Sequence, residues 1–308
     1  MFSLLKKSVV QNITVAICPA VTGVTLAQVR RESGLPPVLE VCESHEAKAT
    51  DQAGLLSQLR RQHDLDNYAC ISVMDIGSYN LLLVEAPDVQ PAELRAAIRW
   101  RVKDMIDFHL DDAVIDVFEV PNQKMAGRNH MMYAVVARAA QVKQRIDQLT
   151  GAGINLTIVD IPELALRNIA ALLPEDVGGV ALLYLTDDTG LITITRQGVL
   201  YLSRQIDIGA SELAAGPEHF DSLVVELQRS LDYYESHFSQ PAVSSVVIAP
   251  LPQTVTGLTE YLHKQLDLTV RMMDLNQMID TPTVMDEAFQ AQCLLAIGAA
   301  MREEEKAL

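Results

Sequence analysis

The chain has 308 residues, 49% of them hydrophobic, with a formal net charge of −16 at pH 7 and a mean hydropathy of +0.15. That length accommodates two ordinary domains or one large two-lobed unit, and the positive hydropathy suggests surfaces covered by partners. The acidic balance excludes nucleic-acid binding and general adhesion to anionic lipid, both of which need clustered Lys and Arg.

No apolar run reaches the ~18 residues of a membrane-spanning helix. Residues 1–8 place apolar side chains ahead of Lys6 and Lys7, the reverse of a secretory signal. Cys18, Cys42, Cys70 and Cys293 lie far apart, without zinc-ligand spacing, and read as reduced core thiols. A cytoplasmic protein is expected, soluble or held at a membrane by something else.

Alternating apolar residues predict strands over 12–18, 22–30 and 37–43, punctuated by Pro19 and Gly23, then by Ser33-Gly34-Leu35-Pro36. Turns this short make an antiparallel meander. A helix over 46–63 follows, with Leu55, Leu56 and Leu59 on its apolar side, then a buried strand over 68–74. This β-β-β-α-β opening belongs to an α/β fold with a mixed sheet. Asp75-Ile76-Gly77-Ser78 resembles a phosphate loop in composition, but between strands 68–74 and 79–85 it reads as a hairpin turn.

A helix over 91–106 is predicted next, with Leu94, Ala97, Ile98, Trp100, Arg101 and Met105 on its inner face. Strands over 111–120 and 129–139 flank a polar loop, 121–128, and a helix over 140–149 closes at Gly151 and Gly153. Residues 79–152 thus form an inserted α+β subdomain, and the first lobe comprises 1–78 and 153–176. The second lobe, 177–308, opens with strands over 180–185, 191–196 and 199–204, which repeat the first meander and imply a duplicated fold. Its long helix carries Leu223, Leu227, Leu231, Tyr234 and Phe238 on one stripe, with Glu226, Arg229, Ser230, Tyr233 and His237 beside it. A strand over 246–249, a helix over 257–266, a strand over 269–273 and a last helix over 285–301 complete the chain. The last helix is expected to pack back on the first lobe.

Several of these stretches carry a resemblance. They are Glu-Leu-Gln-Arg-Ser-Leu-Asp-Tyr-Tyr-Glu at 226–235, Val-Val-Ile at 246–248 and Thr-Gly-Leu-Thr-Glu-Tyr-Leu at 256–262. To these add Ile-Val-Asp-Ile-Pro-Glu-Leu-Ala-Leu-Arg at 158–167, Leu-Ser-Arg-Gln-Ile at 202–206 with Gly209, Ala288-Phe289, and Ala-Ile-Gly-Ala-Ala-Met-Arg at 296–302. Within the insert, 93–116 with Trp100 and the turn 108–112 belongs to the same set. Together they resemble the PilM-type pilus assembly proteins, most nearly the branch of the mannose-sensitive haemagglutinin (MSHA) pilus. The cytoplasmic part of the type II secretion protein GspL is more distantly similar.

The resemblance implies an actin-like, bilobal fold of two ribonuclease-H-like cores with the α+β subdomain inserted in the first lobe. It also implies a scaffold at the cytoplasmic face of the inner membrane. Such a scaffold binds the cytoplasmic tail of a PilN-like bitopic partner and links it to the assembly ATPase of the pilus machine. Members of the family can hold ATP between the lobes.

Nucleotide needs glycine-bearing turns that let backbone N–H groups approach phosphate. The first-lobe turn here reads Pro19-Ala20-Val21-Thr22-Gly23, without Asp and with a proline that donates nothing. The second-lobe turn keeps Asp187, Asp188 and Gly190 only near the expected place, and Pro250-Leu251-Pro252 stands where Gly-Gly would meet adenosine. Glu226 and Arg229 match family positions facing the cleft, though by spacing alone they form a solvated i,i+3 pair. The reading is a vestigial cleft at Thr22, Gly23, Asp187, Asp188, Gly190, Glu226, Arg229 and Pro250, with no cofactor and no enzymatic activity. The alternative is an ATP-binding switch or slow ATPase in which Asp187 or Asp188 ligates Mg²⁺.

The seven histidines show no HxH or HxxxH metal spacing, and no nucleophile elbow or Cys–His context occurs. Partner binding is expected in the groove between first lobe and insert, through the helix bearing Trp100, Arg101 and Asp104. The plainer reading makes Trp100 a core residue. Residues 1–7 are a further candidate contact to membrane or partner, or a disordered terminus.

Overall fold

The structure, a computed structural model, describes residues 12–32, 35–90, 93–120, 130–238 and 240–303. The predicted loop 121–128 and the terminal stretch 1–7 lie outside them. The chain begins with β1 (Ile13–Ala20), β2 (Gly23–Arg30), β3 (Val38–Glu46), α1 (Gln52–Gln62) and β4 (Cys70–Val73). The insert follows with β5 (Tyr79–Glu85), α2 (Leu94–Arg101), β6 (Ala113–Glu119) and β7 (Met131–Arg138). Then come α3 (Ala139–Gly151), β8 (Leu156–Asp160) and α4 (Pro162–Ala170). The second half runs β9 (Val180–Leu185), β10 (Gly190–Arg196), β11 (Val199–Ile206), α5 (Ala210–Ala215), α6 (Phe220–Phe238), β12 (Ser245–Ile248), α7 (Leu258–Leu266), β13 (Thr269–Met272) and α8 (Glu287–Ala300).

Two five-stranded sheets have one topology. The first is ordered β3-β2-β1-β4-β8 and the second β11-β10-β9-β12-β13, each an antiparallel meander continued by two parallel strands. Parallel neighbours need a crossover. α1 supplies the first in one lobe and α6 in the other; α3 and α7 supply the second. This equivalence explains why α3 packs in the first lobe, where Leu149 joins Leu56, Leu59 and Val15 in one core, although the expected insert ran to residue 152. What remains of the insert is the three-stranded sheet β5-β7-β6 under α2.

The last helix does lie on the first lobe's sheet, against β1 to β4, and it crosses α4. α4 in turn packs on β9, β10 and β11, so the two helices form a shared core between the lobes. Apolar burial at roughly 25 cal/mol per Å² is the main cohesive term across this contact. All four cysteines are free thiols, and burial pushes that of Cys18 up to about 12.

Local expectations fail where long-range pairing intervenes. The helix predicted from 46 starts at Gln52 because β3 continues to Glu46, which pairs with Gly23. α5 was not anticipated. The segment 75–78 is no hairpin: β4 and β5 lie in different sheets. The helix predicted over 91–106 ends at Arg101, and its supposed inner face is wrong at three positions, Trp100, Arg101 and Met105. Ile98 and Val102 are buried, whereas Trp100 is 70% exposed and Met105 is exposed too.

Candidate functional site

The β1–β2 turn of the first lobe and the β9–β10 turn of the second open on a cleft of about 940 Å³. Thr22, Gly23, Lys48, Asp187 and Pro252 line it. Thr22, Gly23 and Asp187 are thus brought together as their assignment to one cleft requires. Asp188, Gly190, Glu226, Arg229 and Pro250 are not in its lining. Glu226 sits on the long helix, 2.8 Å from Arg229 and 3.5 Å from Arg204 of β11, so it is a helix-flank ion pair.

Both turns spend polar backbone groups on contacts within the protein. In the β9–β10 turn Thr186 N–H donates to the Thr189 carbonyl (2.8 Å), and Thr189 N–H to Thr186 Oγ1 (3.0 Å). The turn therefore consumes two of its donors internally and presents the exposed carboxylates of Asp187 and Asp188. In the first lobe Pro19 lacks an N–H, and the Pro19 and Ala20 carbonyls accept from Arg145 and Gln52, each at 2.6 Å. Gly23 has a packing reason of its own, since a Cβ there would stand 2.2 Å from the His45 carbonyl oxygen. Gly190 is likewise wedged, with Leu185 at 2.7 Å from a built Cβ. Among the described residues no group of three or more His, Cys, Asp or Glu is arranged to hold a metal.

A second cavity, about 460 Å³, lies between the first lobe, the 75–78 connection and α3. One side of it is polar, and Pro19, Ala20, Val21, Ala49 and Met74 make up the rest. Gln148 Nε2 donates to Gln52 Oε1 (2.8 Å), and Arg145, its side chain only 8% exposed, donates to Asp75 Oδ2 (2.8 Å). Gln141, Gln144 and Ser78 complete the polar side. The carboxamides of Gln141 and Gln144 offer donors and acceptors of the kind a peptide main chain can use. Sequence reading overlooked this wall, although Gln141, Gln144, Arg145 and Gln148 recur at helical spacing on α3. Trp100, Arg101 and Asp104 do not line it. Trp100 and Arg101 are exposed on α2 and Asp104 on the turn that follows it, with Lys103 Nζ 5.9 Å from the Trp100 ring centroid and Arg101 3.4 Å from Glu85.

The insert also reaches the second lobe. Tyr133 of β7 donates to the Tyr201 carbonyl at 2.9 Å, and its ring lies 5.2 Å from that of Phe118. Nearby, Tyr79 donates to Glu163, whose carboxyl is raised by burial. Asp160 is buried too and raised by desolvation, although Arg302 donates to it at 2.7 Å.

These two lobes of matching topology with an inserted α+β unit have the actin-like fold, as comparison with solved structures shows. No family model matches the chain, and no curated protein does. Over 93% of this chain and 97% of the other, it superposes with a TM-score of 0.74 and 16% identity on the structure described as the PilM–PilN type IV pilus biogenesis complex. The cytoplasmic domain of EpsL, an inner-membrane component of the type II secretion system of Vibrio cholerae, matches with a TM-score of 0.51 and 11% identity over 92% and 94%. A Bacteroides thetaiotaomicron protein of actin-like ATPase fold and unknown function matches with a TM-score of 0.50 and 10% identity over 96% and 98%.

Proposed function

We propose that this protein is a PilM-like scaffold of a type IV pilus assembly platform, of the MSHA type served by MshI proteins. In this reading it is peripheral at the cytoplasmic face of the inner membrane; no described helix is long and apolar enough to cross one. It binds the cytoplasmic tail of a PilN-like bitopic partner and connects that platform to the assembly ATPase. The observation that carries the reading is the polar groove of Gln52, Asp75, Arg145 and Gln148, on a fold that matches that of a PilM–PilN complex along nearly its whole length. Extended main chain docks there on carboxamides, and Asp75 meets a cationic residue of the tail. Trp100, Arg101 and Asp104 belong to a separate face, open to a second platform component.

The interlobar cleft is proposed to be degenerate and the protein not an enzyme, because its turns consume their own donors and present carboxylates. The volume of the cleft, about 940 Å³, and Lys48 within it favour the second reading, an ATP-binding switch or slow ATPase. Fluorescence anisotropy with a synthetic PilN-like tail peptide tests the scaffold: binding is expected, weakened by Gln148→Ala and Gln144→Glu. Absence of binding to every platform component would sink it. Calorimetric titration with Mg-ATP separates the two readings, and a micromolar dissociation constant would establish the switch.

A further inference from the structure

The connection 75–78 is shared by two cavities. Asp75 and Ser78 wall the polar groove, and the next residue, Tyr79, lines a smaller cavity of about 190 Å³ between insert and second lobe. Two strand edges frame that second cavity: among the described residues β5 is outermost in the insert's sheet, and β11 is outermost in its own. Between them stands Glu163, 3% exposed, in the first turn of α4.

The Glu163 carboxylate accepts from the Tyr79 hydroxyl and shares the lining of the small cavity with Ser203 of β11. Among the described residues no Lys or Arg pairs with it. A buried carboxylate held only by neutral donors loses much of its solvation when one of them leaves. Tyr79 and Ser203 come from two different bodies, so this carboxylate registers whether insert and second lobe are together. The segment leading to Tyr79 has little slack. Ser78 donates twice to the Asp75 carbonyl, through N at 3.0 Å and Oγ at 2.5 Å, while Arg145 of α3 grips the Asp75 carboxylate. The Asp75 backbone is thus tied through a tight turn to the residue preceding Tyr79.

We propose that Tyr79 and Glu163 form a relay through which occupation of the groove between the first lobe, the 75–78 connection and α3 loosens the insert's hold on the second lobe. The occupant's identity rests on the function proposed above; the relay does not. A cationic group that takes Asp75 from Arg145 shifts the 75–78 turn and withdraws the Tyr79 hydroxyl. By reciprocity, releasing the insert favours occupation of the groove.

Hydrogen–deuterium exchange on the full chain tests this. Asp75→Asn and Tyr79→Phe should each raise amide exchange in β11 several-fold while leaving the central strand β12 unchanged, and Ser203→Ala should do the same from the other side. Combining Asp75→Asn with Tyr79→Phe should add nothing further, the mark of one shared path. Thermal unfolding establishes that each variant folds. A rise in Tyr79→Phe or Ser203→Ala without one in Asp75→Asn overturns the relay, as does no change in any. With a synthetic PilN-like tail peptide, binding without a change in β11 exchange also overturns the relay but leaves the scaffold standing. Loosening by Asp75→Asn without peptide binding supports the relay and removes the proposed partner.

Discussion

Asn168 of α4 donates its side-chain amide to the carbonyl of Gly298 in α8, at 2.9 Å and out of contact with solvent. The bond marks where the two halves of the chain meet. The closeness is possible only because residue 298 has no side chain, since a Cβ there would lie 2.3 Å from the Ala165 carbonyl oxygen.

Gly298→Ala should therefore force the crossing apart. A loss of about 1–3 kcal/mol is expected from overpacking, larger for Gly298→Val, read from urea unfolding midpoints. A midpoint within error of wild type would mean the helices separate freely.

Arg302 and Asp160 form an ion pair whose side chains are 8% and 2% exposed. Arg302→Met leaves Asp160 buried without its cation and should cost roughly 3–5 kcal/mol. Adding Asp160→Asn should recover part of that loss, because an amide carries no charge to desolvate. An unchanged double variant would contradict the account.

Two carboxyls give opposite pH signatures. Arg271 donates to Glu175 at 2.6 and 2.8 Å and holds it below the usual carboxylate range. Its contribution is present above the unfolded value of about 4.3 and is lost as pH falls through the lower folded value. Burial raises Glu163, so its contribution is present below the unfolded value and is lost as pH rises through the folded one. Denaturation from about pH 3 to 8 should show Arg271→Ala flattening the acid limb and Glu163→Gln flattening the decline above about pH 4.5. The Glu175 effect should shrink in high salt, since the pair is partly exposed. Equal slopes in both variants would contradict these assignments.

Trp100 and Ile98 sit two residues apart on opposite faces of α2. Ile98→Ala should cost about 2–5 kcal/mol, whereas Trp100→Ala should stay within about 0.5 kcal/mol. If Trp100→Ala also leaves tail-peptide affinity intact but weakens capture of another platform protein, its face is a separate contact.

In the proposed degenerate cleft, the exposed carboxylates of the second-lobe turn would oppose an incoming phosphate. Replacing Asp187 and Asp188 together by glycine should tighten pyrophosphate binding relative to wild type in calorimetry. No change would mean that the consumed backbone donors, not the charges, set the limit.

The sequence by itself determined an α/β class in two repeated halves, because alternation, Gly/Pro turns and helical stripes are local properties; the actin-like assignment came from the resemblance. It marked 180–206 as a copy of the opening meander, and it placed Pro19 and Pro250 where the resembled family is expected to carry glycine-bearing turns. Only the tertiary structure decided which face of α2 is buried, since neighbouring apolar residues fit more than one face until the sheet covers one. Likewise Asp75 meets Arg145 across 70 residues and Asn168 meets Gly298 across 130. Such contacts follow from how the sheets and crossing helices place distant segments, which no local pattern encodes. The groove and the insert's hold on the second lobe are consequences of that placement.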